Sequence, residues 1–418
     1  MRRNVAIISV GYNGRFVSKR PDISIVEMLE QAVRNAISKT KLKPHEIDAF
    51  VVGNMHTFEG VNMGNLWASE HILALNKPVM RIATGGTTGM SVFHCAYYHV
   101  ASGLYDVVCA IGWEKHDEGD AQIGLGGILL PEVFSLAHFG PDLTGKRGGG
   151  LGLMGGGGGS TGGASFQAAS YLAKSGGGIE HIDMAAALMR ANAAKNPYAH
   201  LQVPNCKPED IAKTPIISWP LRYGHTCPTS CGACAVILVA EEKVKKFADT
   251  DKVAWVKGVA CGTSDATIGN VHDGQITDPA DQEICKIVAR RAYKKAEIRN
   301  PKKEIQVAEV YDGFAHQVLM WPEKLLLVDE GASPKLIEQG YYNLDGELPV
   351  NPSGGVTSTN AIGASALVRV AEAALQIMRM AEGGHQVDKK IKNAVAHGWG
   401  GLFQFVTVTV LGDTPVKK

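Results

Sequence analysis

The side chains in this 418-residue chain that could do chemistry gather beside glycines. Three stand out: His397 in HGWGG, Tyr311 in YDGF and Asn360 in STNAIG. An imidazole before a glycine turn can act as a general base tuned near neutrality, or be a histidine satisfied by backbone bonds at a strand end. The Tyr311 phenol can donate to a thioester or ketone oxygen, or fill core. Asn360 can hold an oxyanion or a water, or cap a turn. Asp312 reads as a turn-capping carboxylate. Gly85 and Gly86, in RIATGGTTGMSV, open a predicted helix whose N-terminus offers free N–H groups and a positive dipole. No thiol lies between residues 80 and 94, and Cys95 falls nine residues beyond Gly86, on the helix itself.

The eight cysteines stand at 95, 109, 206, 227, 231, 234, 261 and 285. Cys109 and Cys261 sit in apolar stretches that read as strands, where free cysteine behaves as a small hydrophobe. The spacing of Cys227, Cys231 and Cys234 lacks a clear fourth ligand, and Cys234 opens the apolar run CAVILVA, so no metal is expected. His225 and His316 are candidate lining residues. Glycine is abundant, 49 residues or about 12% against an average near 7%. The run GGGGG at 155–159 lacks the G-x-x-x-x-G-K-[ST] pattern of a phosphate loop, and is expected to let a covering segment pack tightly or move.

These residues need a frame. Period-two apolar runs predict strands at 4–10, 48–53, 106–112, 233–240, 253–259, 305–310, 394–397 and 403–412. Period-3.6 patterns predict helices at 24–38, 88–102, 163–175, 180–194, 280–297 and 361–381. Both ends show strand, helix and a glycine-rich turn into a central helix, so the pattern suggests a duplication. Between about 115 and 225 the grammar breaks into glycine loop, helices and a proline-containing segment without clear strands, an insertion on a core. A net charge of +1 leaves no global field for nucleic acid or anionic lipid. The run VAIISVGY after Met1-Arg2-Arg3 is too short for a signal segment, which predicts a core strand and a cytoplasmic protein without membrane spans.

NPSGG at 351–355, A-I-G-A-S-A-L at 361–367, YDGF at 311–314 and HGWGG at 397–401 resemble, in order, motifs of the thiolase superfamily, in particular its sterol-carrier-protein-type branch. NPYAH at 196–200 and PLRYGHTCPTSCGACAVIL at 220–238 are similar to that family's loop domain and to the strand closing its first half. The resemblance implies an α/β, five-layered α-β-α-β-α fold of two pseudo-repeated halves. These are 1–265, with a loop domain at about 115–225, and 266–418. It implies acyl-CoA substrates, coenzyme A as substrate with no bound cofactor, a homodimer, and carbon–carbon bond chemistry.

The chain departs from the family where the nucleophile belongs, since C-x-x-G places that cysteine on Gly86. Asn360 stands for the usual histidine, Tyr311 for an asparagine or histidine, and His397 for the basic cysteine. Cys227 aligns with a segment near the pantetheine arm and could be a displaced nucleophile. The motifs are also similar to thiolase subunits that pair with a small zinc-ribbon/OB-fold partner, such as the benzoylsuccinyl-CoA thiolases. The favoured expectation is thiolysis of a β-ketoacyl-CoA. His397 would activate the CoA thiol, Tyr311, Asn360 and N–H groups near Gly85, Gly86 and Gly400 would hold oxyanions, and His225 and Cys227 would line the site. Glycine at 86 would leave room for a second thiol or a bulky acyl group. The alternatives are retro-aldol cleavage of a β-hydroxyacyl-CoA and a non-catalytic acyl-CoA-binding subunit.

Overall fold

The computed structural model describes residues 3–55, 63–118, 159–264, 278–401 and 404–417. Nine strands form one mixed sheet: β1 (Val5–Tyr12), β2 (Ala49–Gly53), β3 (Val79–Arg81), β4 (Val107–Glu114), β5 (Gly232–Ala240), β6 (Ala254–Thr263), β7 (Val307–Glu309), β8 (Asn393–Gly400) and β9 (Phe405–Gly412). Their spatial order is β3-β2-β4-β5-β1-β6-β9-β8-β7. That order mirrors itself about the β1/β6 pair. The antiparallel neighbours β1·β5 and β4·β5 answer to β6·β9 and β8·β9, and the parallel pair β2·β4 answers to β7·β8.

Strands such as β1, β4 and β5 are buried along their whole length, because helices cover both faces. Val5 and Ile7 turn to one core and Ala6 and Ile8 to another, as the period of two requires. One outer layer is α1 (Ile25–Ser38), whose apolar stripe runs from Ile25 through Met28, Leu29, Ala32, Val33 and Ala36. Its start is fixed by a reciprocal cap: Glu27 N–H donates to Ser24 Oγ at 3.3 Å and Ser24 N–H donates to Glu27 Oε2 at 2.9 Å. The opposite outer layer is α5 (Glu283–Ala296) on β6 and β9. Between them, α2 (Thr88–Ala101) and α7 (Ile362–Met378) pack on each other as the central layer. Gly89 permits that contact, because a Cβ there would sit 2.4 Å from Leu367 N. The helices α3 (Gly159–Ser175) and α4 (Ile179–Ala193) belong to the inserted region.

Two expectations need correction, and one helix was not foreseen. Within 115–225 a short ribbon pairs Ile216–Ser218 with Leu221–Arg222, although strands were not expected there. These runs are two and three residues long, below what periodicity can detect. A helix α6 (His316–Lys324) follows the YDGF turn. All nine of its residues are buried, so it has no polar face for a 3.6-residue period to reveal. Cys261 lies in β6 but is exposed, so it is not a core residue. Residues 155–158 of the glycine run lie outside the described residues.

A buried pair joins α7 to the segment after it: His385 Nε2 and Glu372 Oε2 lie 2.9 Å apart, both side chains 1% exposed. Burial pulls the imidazole's pKa down, but the charge and hydrogen bond of Glu372 more than offset it, and the net direction is up. Glu372 is lowered overall, its burial outweighed by His385 and Tyr12. The histidine's contribution is therefore fully present below its ordinary value of 6.5 and is lost as pH rises through the folded value. The glutamate's contribution is lost at acid pH, below its ordinary 4.5. Thermal denaturation of wild type and His385→Gln should differ most between those two pH values, and the difference should shrink toward alkaline pH. A gap that widens on the alkaline side would contradict this sign.

Candidate active site

Three turns meet at the N-terminal ends of the two central helices. The Gly85–Thr87 turn leads into α2, the Trp399–Gly401 turn ends β8, and the Thr359–Ala361 turn leads into α7. Gly85 and Gly401 both have positive φ, +65° and +66°, which glycine adopts without strain. Backbone meets backbone here. A Cβ on Gly86 would lie 2.4 Å from the Trp399 carbonyl oxygen, 3.2 Å from Gly400 Cα and 3.2 Å from the Tyr311 hydroxyl. A Cβ on Gly400 would lie 2.6 Å from Gly86 N and 2.8 Å from Thr87 N. Gly86 therefore leaves no room for a second thiol or an acyl group, contrary to the expectation. Its missing side chain is matched by the opposing turn and by the Tyr311 hydroxyl.

Tyr311 is 5% exposed. Trp321 of α6 donates its indole N–H to the Tyr311 carbonyl at 2.7 Å, and the phenol is near Ser365 and Cys227. Burial pushes the phenol well above its ordinary range, so it keeps its proton and is a donor. Asn360 is held from both sides. Its N–H donates to Ser230 Oγ at 3.0 Å, and Ser365 Oγ donates to its Oδ1 at 2.9 Å. Its free amide end, Nδ2, donates to Cys227 Sγ at 3.2 Å. Burial raises the Cys227 thiol to about 11, although the Asn360 bond pulls the other way, so the resting sulfur is protonated. Tyr311, Asn360, Ser365 and Cys227 thus form one polar cluster, which the Tyr311 hydroxyl brings up to Gly86.

Two expected participants lie elsewhere. His397 is fully buried on β8 behind the Tyr311 backbone. Its Nδ1 accepts from Tyr311 N–H at 3.4 Å and its ring lies 4.6 Å from that of Trp321. Its Nε2 has no partner among the described residues. Burial takes its pKa down to about 3. Against a free thiol near ~8.5, such a base is about five orders of magnitude too weak, so the thiol-activating role does not suit it. His225 is committed as well. Its Nε2 lies 2.7 Å from Asp183 Oδ1 and its Nδ1 accepts from Arg222 N–H at 3.0 Å. Cys95 sits along α2 with its sulfur 3.7 Å from His99 Nδ1. Asp312 behaves as a cap: its carboxylate accepts from Val356 and Thr357 N–H at 2.6 and 3.4 Å, fixing the NPSGG turn.

Sequence reasoning passed over Arg190, Ser230 and His200. Arg190 lies on the buried side of α4, and a cation in a helix pattern ordinarily reads as solvated. Ser230 is paired with His200 at 2.9 Å. His200 and Ser230 were hinted at only by the family-like segments that contain them, NPYAH and PLRYGHTCPTSCGACAVIL.

The chain matches the model of the thiolase N-terminal domain over residues 7–121 and that of the thiolase C-terminal domain-like region over residues 267–413. It belongs to the thiolase superfamily. Its place is in the sterol-carrier-protein-2-thiolase-like branch. It is 28% identical to the acetyl-CoA acetyltransferase of Methanocaldococcus jannaschii, over 98% of this chain and 99% of that one. It is 24% identical to the benzoylsuccinyl-CoA thiolase subunit BbsB of Thauera aromatica, over 87% and 93%. The Ltp2-ChsH2(DUF35) aldolase structure superposes with a TM-score of 0.76 at 20% identity, over 98% of this chain and 97% of that one. The α/β fold of paired N- and C-terminal domains on a mixed sheet is therefore that of the thiolases, and the activity class is thiolase-like chemistry on acyl-CoA carbon–carbon bonds.

Proposed function

We propose that this thiolase-superfamily protein cleaves a β-ketoacyl-CoA with coenzyme A into two acyl-CoA products, without placing an acyl group on the enzyme. The observation that carries this reading is the filled space at Gly86, where a nucleophile would stand. CoA enters as its thiolate, its proton left to solvent, and the sulfur attacks the ketone carbon directly. Tyr311, which keeps its proton, donates to the oxygen that becomes an alkoxide. When the alkoxide collapses, the Cα–C bond breaks and its electron pair passes to the thioester as an enolate, which takes up a proton from solvent at carbon. In this reading Asn360 Nδ2 and the backbone N–H groups around Gly86 and Gly400 stabilise the negative oxygen. An aromatic or branched acyl group, as in the substrate named for the Thauera subunit, suits this reading.

The partner is part of the proposal. The Thauera relative is called a subunit, and the aldolase structure names a second component carrying DUF35. A small zinc-ribbon/OB-fold partner fits this chain in the same way. A homodimer is supported by β3, an edge strand with Met80 48% exposed, beside exposed Met63, Leu66 and Trp67. No described helix is long and apolar enough to cross a membrane, in keeping with the cytoplasmic site proposed.

The position of the Tyr311 hydroxyl favours a second reading, retro-aldol cleavage of a β-hydroxyacyl-CoA, with the phenol on the substrate hydroxyl. One assay separates the two. With the partner protein present, β-ketoacyl-CoA plus CoA should give two CoA esters by chromatography and mass spectrometry. Cleavage of the hydroxy substrate without added CoA would assign the retro-aldol reaction instead. Binding of CoA esters with no turnover of either substrate would reject both.

A further inference from the structure

Arg190 is 6% exposed and lies on α4 behind the polar cluster. Its guanidinium donates to the Thr357 carbonyl, to Ser358 Oγ at 3.0 Å and to the Thr226 carbonyl at 3.2 Å. These acceptors are neutral. They lie on two separate segments, one leading into Cys227 and the other into Asn360. No carboxylate among the described residues forms an ion pair with it. Asp312 is near enough to be felt, but its oxygens are taken by the Val356 and Thr357 N–H groups. A buried charge without a counter-charge is disfavoured by desolvation, and folded chains rarely keep one without a compensating role. Here the charge is spent on neither an ion pair nor solvent. It lies within electrostatic reach of the Cys227 sulfur, which the Asn360 amide touches at 3.2 Å.

We propose that Arg190 is a positioning residue for this site: it locks the Cys227 and Asn360 segments in register and keeps a positive charge behind them that favours an anion in front. The inference rests on the reading that this cluster handles the thioester, and it adds the group that sets the local field. Two sources of negative charge fit, the departing enolate oxygen and a sulfur anion. Both should lose stabilisation if the charge is removed, whereas a purely structural arginine would affect only folding.

The test uses Arg190→Met and Arg190→Lys in the full chain, with circular dichroism as the check on folding. The first readout needs no substrate: the rate at which iodoacetamide labels Cys227, followed on its peptide by mass spectrometry at about pH 8.5. Arg190→Met should slow labelling about tenfold, as expected when a thiol rises by one pKa unit. Arg190→Lys should keep labelling within about twofold of wild type, because the charge stays. With β-ketoacyl-CoA and CoA, Arg190→Met should lower kcat more than it raises KM. If Arg190→Met does not fold, Arg190→Lys decides alone, and labelling slowed tenfold in that variant overturns the proposal. Unchanged labelling in folded Arg190→Met also overturns it. Because labelling is independent of turnover, a protein inactive on both substrate classes would still test this charge.

Discussion

Gly86→Cys will not create an acyl-enzyme. It will cost stability and activity together, because the new Cβ would stand 2.4 Å from the Trp399 carbonyl oxygen, with Gly400 Cα and the Tyr311 hydroxyl at 3.2 Å. The obstructing atoms are mostly backbone, on a turn pinned by Gly401 at φ +66°, so relief needs movement of the turn itself. Overpacking of this kind costs about 1–3 kcal/mol. Displacing a site by about 1 Å costs on the order of a hundredfold in rate. Gly86→Ala serves as the control. If the cause is steric, both variants should show lowered Tm and a kcat/KM loss of about a hundredfold, with no label on residue 86 after incubation with substrate. A Gly86→Cys protein that is stable, active and acylated at that residue would show that the turns can open and that the filled space is not the determinant.

Tyr311→Phe should have the second large effect, with a different signature. The ring is held by packing: Trp399 lies 6.5 Å away by ring centroid, and the bond from Trp321 goes to the Tyr311 backbone carbonyl. Phenylalanine keeps all of this, so Tm should change little. What disappears is the hydroxyl. Removing one preorganised donor to a developing oxyanion costs about 10²–10³ in kcat. KM should stay close to wild type, since a donor that matters mainly in the transition state contributes little to ground-state binding. Because burial holds the phenol well above its ordinary range, the wild-type rate should not fall on the alkaline side through loss of this proton. A kcat within threefold of wild type in folded Tyr311→Phe would remove the phenol from the chemistry.

These effects follow from contacts that a sequence pattern cannot express. The strands and central helices were legible because a mostly buried sheet writes apolar runs, and α1 and α7 write their own periods. Motif order then gave the family and pointed to Tyr311, Asn360 and Gly86, which the fold brings together. His397 misled for a physical reason. A histidine before a glycine turn looks the same in a string whether its side chain faces the cleft or the opposite side of the strand. On β8 it faces Trp321, and burial removes its basicity. His225 misled similarly, since its partner Asp183 is 42 residues away in sequence. Arg190 was invisible because its place, buried and without an ion-pair partner among the described residues, is defined only by packing. The close approach of Gly86 to Trp399 joins residues more than 300 positions apart, and glycine's lack of a side chain was read as room when it marks contact.

Carbon–carbon cleavage without a covalent acyl-enzyme is the claim on which the rest depends. Rapidly quenched protein, incubated with a β-ketoacyl-CoA labelled in its acyl part and with the partner present, can be digested and every cysteine peptide weighed. Labelled acyl-CoA should accumulate while Cys95, Cys109, Cys206, Cys227, Cys231, Cys234, Cys261 and Cys285 all keep their unmodified mass. A labelled thioester on Cys227 that forms and decays at the rate of turnover would contradict it.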